Sequence, residues 1–237
     1  MDLTFLTRSD FWLDIIFPNR CVSCDKTIAW NETFCDKCGA DLPYIEDIPW
    51  QAVFAMQTDE PANFDYANAL FWYKGNAKSA VLALKSRNGV NFAKFAAKYL
   101  AMKFETDGQS ADIITAVPMN AKKVRRRGYN QAQVFAEYLS KNMDIKTDFA
   151  LLKRRSTSTE QHTLAKKERL AAAESAYFIS PKAADLSGKR VILCDDIFTS
   201  GATVNKCAAL LKELGAKSVS VATICRTDTS GKLESNA

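Results

Sequence analysis

Two adjacent carboxylates, Asp195 and Asp196, end an apolar run and are followed by the small residues Thr199, Ser200, Gly201, Ala202 and Thr203. The stretch reads VILCDDIFTSGAT, residues 191 to 203. Neighbouring acids repel each other and call for a cation or for hydroxyl donors. The loop beside them suits an anion. A helical pattern starts at Ala202, and the free N–H groups and positive dipole end of a helix start attract negative charge. Gly201 lets the main chain come close to a ligand, and the three hydroxyls add donors. A ribose 5-phosphate satisfies both halves, its vicinal diol donating to the acids and its phosphate filling the loop.

Two rival readings are weaker. An apolar strand ending in acids also holds Mg²⁺ in P-loop ATPases, but that requires a G-x4-G-K-[ST] loop. The nearest stretch, KGNAKS at 74 to 79, lacks the first glycine. A ligand-free helix cap would explain one Ser or Thr, but not paired acids with a small-hydroxyl loop.

A second constellation lies near the front. Cys21, Cys24, Cys35 and Cys38 form C-x2-C, ten residues, C-x2-C. Each pair presents two sulfurs from a tight turn, and two such knuckles complete a tetrahedron around Zn²⁺. Four thiolates leave no open position for water, which makes the role structural. Redox-active pairs or disulfides are the alternative. They fit less well, because neither pair belongs to a thioredoxin-like strand-to-helix turn. Cys194, Cys207 and Cys225 fall on apolar faces and read as packing thiols. This usage suits a reducing cytoplasm.

The formal charge of +5 is modest, but KKVRRR (122 to 127), KRR (153 to 155) and KKER (166 to 169) concentrate it at expected loop positions. Such clusters suit phosphates or nucleic acid.

These groups need a scaffold. With 47% apolar and 25% charged residues the composition is that of an ordinary globular chain, and no run of about 20 apolar residues spans a membrane. Helical spacing appears at 76 to 89, 90 to 104, 129 to 143 and 202 to 215. Strands are expected at 112 to 117, 190 to 194 and 218 to 225. The last strand, helix and strand make a βαβ unit with parallel strands, so the body is an open α/β sheet whose ligands bind beyond the carboxyl ends of its strands. The polar segment 153 to 175 reads as a loop with a short helix. FWLDIIFP near the start reads as an amphipathic helix packed on the body, with partner or membrane contact as the alternative.

The assembled motifs resemble a known family. VILCDDIFTSGAT is similar to the phosphoribosyl pyrophosphate (PRPP) signature of type I phosphoribosyltransferases. With the four-cysteine module, LKSRNG (84 to 89), AVPMNAKKVRRRGYNQA (116 to 132) and KRRSTSTEQHTLAKKERL (153 to 170), the chain resembles the ComF family, which also contains proteins named GntX. The resemblance runs from residue 17 to about Arg226. It implies an open parallel sheet of the type I phosphoribosyltransferase kind behind a small zinc module. The expected divisions are 1–48, 49–226 and a tail at 227–237.

By the same resemblance, Asp195 and Asp196 bind the ribose hydroxyls and Thr199 to Thr203 the 5-phosphate. Lys122, Lys123, Arg125, Arg127 and Gly128 belong to the pyrophosphate loop. Arg154, Ser158, Gln161 and Arg169 belong to a flexible loop that closes over Mg²⁺ and PRPP. Ser158 stands where the family has Thr, and Ala172 where it has Asn. His162, the sole histidine, reads as a bystander rather than a base.

Three functions follow from the resemblance: a cytoplasmic competence factor handling incoming single-stranded DNA, a salvage phosphoribosyltransferase, or a non-catalytic PRPP sensor. The first is preferred, since a salvage enzyme has little use for a zinc module. Its expected partners are DNA-uptake or recombination proteins, through which it would meet the inner membrane. No residue names an acceptor for transfer.

Overall fold

The computed structural model describes residues 18–46, 54, 60–84, 89–155 and 176–227. The first described segment is a small cysteine ribbon whose only helix is α1 (Asp36–Ala40). The body follows as β1 (Tyr66–Trp72), α2 (Gly75–Ala83), α3 (Val90–Thr106), β2 (Ile113–Ala116), α4 (Ala121–Arg127), α5 (Gln131–Met143), β3 (Leu152–Arg154), β4 (Tyr177–Ile179), β5 (Arg190–Phe198), α6 (Ala202–Glu213) and β6 (Ser218–Arg226).

Four strands form a fully parallel sheet in the order β1-β6-β5-β2. Alternation along β5 divides the core. Ile192 and Cys194 pack with α2, α3 and α5, whereas Val191 and Leu193 pack with α6 and with Leu151 and Leu152. Helices therefore cover both faces, as a parallel sheet requires. Alanines let α3 and α5 approach closely: Ala93, Ala96 and Ala97 on one, Ala132 and Ala136 on the other, all buried.

The cysteine ribbon shares the body's core. Cys21, Val22, Phe34, Cys38 and Leu42 belong to the same buried cluster as Phe71, Phe92 and Leu100. Phe34 meets Phe92 and Phe95 edge-on, with centroids 5.7 and 5.5 Å apart. Asn76 ties the two parts together, accepting from Ser23 Oγ at 2.8 Å and donating to the Cys38 carbonyl at 3.2 Å. The chain leaving the ribbon then lies along β1, where Ile45 N–H donates to Leu70 O and Trp72 N–H to Pro43 O.

Several expectations are corrected. The basic run at 122–127 is a helix, α4, and not a loop. The first body helix stops at Ala83, and Gly89 sits at the start of the next helix instead of closing the previous one. Strand β5 continues past Cys194 to Phe198, so the two aspartates lie within it. Arg154, expected in a loop, sits in the antiparallel β3–β4 ribbon. Strand β1 and that ribbon were not anticipated. The expected N-terminal helix, Ser158, Gln161, His162, Arg169 and Ala172, and the tail from 228 lie outside the described residues.

Candidate functional site

The parallel βαβ arrangement places the loop after β2 and the loop after β5 side by side. The two strands pair in register, and Val117 N–H donates to Cys194 O at 2.9 Å across the junction. This is the carboxyl edge of the sheet, where open α/β folds bind ligands.

Asp195 and Asp196 stand at this edge, half-buried, with Asp196 N–H donating to Asp195 Oδ1 at 2.9 Å. Burial lifts the Asp195 carboxyl well above the usual carboxylate range, and the Asp196 charge adds to the lift; the Asp196 amide and the Arg154 guanidinium oppose it. A carboxylate so placed gains from an incoming cation or hydroxyl donor, so the pair is suited to Mg²⁺ and a sugar diol.

The turn after the acids shows why glycine stands at 201. Its φ is +79°, and an added Cβ would lie 2.5 Å from the Phe198 ring and 2.6 Å from Phe54. It heads α6 without a side-chain cap. The only described side-chain contact to an amide of the first turn is a long one, Ala202 N–H to Ser200 Oγ at 3.4 Å. Thr199, Ser200, Ala202 and Thr203 are exposed around it. A helix start of this kind offers its amides to an anion.

On the β2 side, Asn120 caps α4 by accepting from Lys122 N–H at 2.8 Å. Gly128 closes α4 at φ +89° with open space around it. That glycine therefore serves a left-handed cap; no protein atom crowds it. Lys122, Lys123 and Arg125 are exposed, while Arg127 donates to Gln131 Oε1. The other end of Gln131 is a buried Nε2 with no hydrogen-bond partner among the described residues.

Four residues at this edge escaped the sequence reading. Asn130 donates to Val117 O at 3.0 Å and accepts from Ala132 N–H at 3.1 Å, which fixes the end of β2 to the start of α5. Its position before a helical run was a readable cap signal. Tyr177 on β4 carries Arg154 over its ring at 5.1 Å. Burial pushes the Tyr177 phenol up, with Arg154 opposing and Asp195 adding to the rise. Arg154 Nε is buried and unpartnered among the described residues. Phe198 and Phe54 wall the turn at Gly201, and only the tertiary fold brings Phe54 there.

The zinc expectation passes a geometric test. The four sulfurs of Cys21, Cys24, Cys35 and Cys38 lie within 4.8 Å of one another, and Cys24 Sγ is 3.8 Å from Cys35 Sγ. A tetrahedron with bonds of about 2.3 Å has edges of about 3.8 Å. Burial raises the Cys21 thiol, but N–H groups of Cys35, Cys24 and Ser23 outweigh it and bring it to about 7. Burial and the neighbouring thiols push Cys38 to about 12. Four sulfur donors at this spacing suit Zn²⁺, whose charge would hold them as thiolates. Cys194, Cys207 and Cys225 are buried, as packing thiols should be.

Known proteins bear on both parts. Residues 73–237 match the model described as phosphoribosyl transferase domain, and residues 12–49 that of the double zinc ribbon domain. The chain is 25% identical over 224 residues to competence protein F of Haemophilus influenzae, covering 88% of this chain and 91% of that protein. It is 26% identical over 216 residues to the DNA utilization protein YhgH of Escherichia coli K12, covering 87% and 90%. Competence protein ComFC of Bacillus subtilis is 33% identical over 116 residues, 48% of this chain and 45% of that one. Among the described residues, no helix is long and apolar enough to cross a membrane.

Proposed function

The chain belongs to the ComF family of phosphoribosyl transferase domain proteins, and on that premise we propose that it binds Mg²⁺ and PRPP at the ends of β2 and β5 and acts on incoming single-stranded DNA in natural transformation. One observation carries the sugar-phosphate half: paired acids lead, within one strand-turn-helix, into an uncapped helix start at Gly201. The DNA half is supported by relatives named for competence and for DNA utilization.

In this reading Asp195 and Asp196 accept from the ribose hydroxyls, and the amides from Gly201 to Thr203 hold the 5-phosphate. Lys122, Lys123 and Arg125, on α4 next to the β2 loop, meet the pyrophosphate, and Arg127 holds Gln131 in place. The metal, when bound, neutralises phosphate charge. If transfer to an acceptor takes place, pyrophosphate leaves the anomeric carbon as the acceptor attacks, and no protein nucleophile is required. The chain's part is to position the sugar and stabilise the departing charge by fixed donors. Segment 154–170 is the candidate cover that excludes water.

Calorimetric titration with Mg²⁺ and PRPP tests this directly. Wild type should bind one molecule per chain, and Asp195→Ala/Asp196→Ala should abolish the heat. Absence of binding to wild type would overturn the reading. Pyrophosphate release with a panel of bases then separates an enzyme from a sensor.

A further inference from the structure

A groove of about 1000 Å³ runs along the seam between the cysteine ribbon and the outer faces of α3 and α5. None of its lining residues belongs to the acid pair, the phosphate turn or α4. Its floor is aromatic. Trp30, Tyr44 and Tyr99 are 61%, 49% and 39% exposed. Tyr44 rests on Phe71 with centroids 4.8 Å apart, and Tyr99 on Phe95 at 4.6 Å. Such rings are held from behind and open in front.

The charge on the helical wall has one sign. Lys94 and Lys98 lie four residues apart on α3, and Lys141 lies on α5 over the Tyr138 ring at 5.3 Å. No described carboxylate pairs with these ammonium groups. The acids of the lining, Glu32 and Asp36, belong to the cysteine ribbon, across the seam from the helical wall. Asn31, Asn91 and Asn142 add amide donors and acceptors. Aliphatic side chains are nearly missing: of the described lining only Ala40 and Leu42 qualify, and Leu42 is buried. A groove for an apolar helix is lined by aliphatic anchors. Open rings beside a row of ammonium groups, with amides between, suit unpaired bases on a phosphate chain.

We propose that this groove is a binding path for single-stranded DNA, with bases stacked on Trp30, Tyr44 and Tyr99 and phosphates against Lys94, Lys98 and Lys141. The inference rests on the DNA half of the proposed function and gives it a surface separate from the sugar-phosphate site. The cysteine ribbon supplies one wall, which gives the zinc module a direct part in binding.

The test is fluorescence anisotropy of a labelled oligothymidylate with the zinc-loaded full chain. Trp30→Ala/Tyr99→Ala should weaken binding at least tenfold, since stacking on an aromatic is worth about 1–3 kcal/mol per base. Lys94→Ala/Lys98→Ala should flatten the slope of log affinity against log salt by about 1.4, from two contacts at about 0.7 each. Arg125→Ala/Arg126→Ala on α4 should change affinity little, and both groove variants should titrate PRPP as wild type does. Thermal melting checks that all three variants are folded, and PRPP titration checks it further for the two groove variants. Wild-type affinity in both groove variants, or equal displacement by a duplex competitor, would overturn the groove. No binding by wild type would overturn the groove and the DNA role together, with the PRPP reading untouched.

Discussion

At Gly201 backbone and packing agree on one residue. A side chain there would be strained at φ +79° and would press on Phe198 and Phe54. Gly201→Ala should cost about 1–3 kcal/mol in urea denaturation and weaken PRPP binding at least tenfold, because the turn that bears the amides must move. Asp112 and Arg190 make a different kind of residue-scale device. Arg190 holds Asp112 through its guanidinium at 3.0 Å and through its own amide at 2.8 Å, joining the starts of β2 and β5. The Arg190 guanidinium and amide lower the Asp112 carboxyl to about 2. Its folded value lies below its unfolded one, so the pair stabilises the fold above about pH 4 and loses this as pH falls toward 2. Both partners are partly exposed, so solvent screening keeps the effect small. Denaturant midpoints measured across this range should slope less in Asp112→Asn. The paired acids and the glycine turn after them were legible because they are contiguous in the chain. Arg154 was legible as a loop cation but not as a strand residue facing Asp195, and Tyr177, brought there from β4, left no local mark.

Among the elements, α4 shows what a periodicity reading overlooks. AKKVRRR has two apolar residues, Ala121 and Val124, and buries nothing, so it carries no amphipathic stripe. The helix is set by its ends: Asn120 caps the start, Gly128 turns the exit, and three arginines in the last turn face the negative end of the dipole. Asn130 does similar work for α5 and also anchors β2. Replacing it with Ala should lower stability by about 1 kcal/mol, read from thermal melting, and loosen the neighbouring loop enough to weaken PRPP binding. The long helices and the strands β2, β5 and β6 were readable because they are apolar with a clear period. β3 and β4, three residues each, are too short to carry one. β1 mixes Asn68 and three alanine or tyrosine positions into its run, and its strand character comes from pairing with β6.

For the whole molecule, the continuity of the ribbon's core with that of the body is decisive. Phe34 and Cys38 pack into the cluster that holds Phe71 and Phe92, so stability of the metal site and of the sheet are linked. A chelator should therefore lower the melting temperature of the entire chain in one cooperative transition, followed by far-ultraviolet circular dichroism. Two separate transitions would show an independent module. The same continuity governs how copies of the chain meet. Each outer strand of the sheet has a neighbour already: residues 43–45 lie against β1, and 146–148 against β2 through Lys146 O, Ile114 and Asp148. Intermolecular strand addition finds both flanks blocked in the native state. The guard on β1 is the exit of the cysteine ribbon, so zinc starvation would release it. Self-association of metal-depleted protein should then begin at that flank, and a light-scattering rise that zinc suppresses would mark its onset.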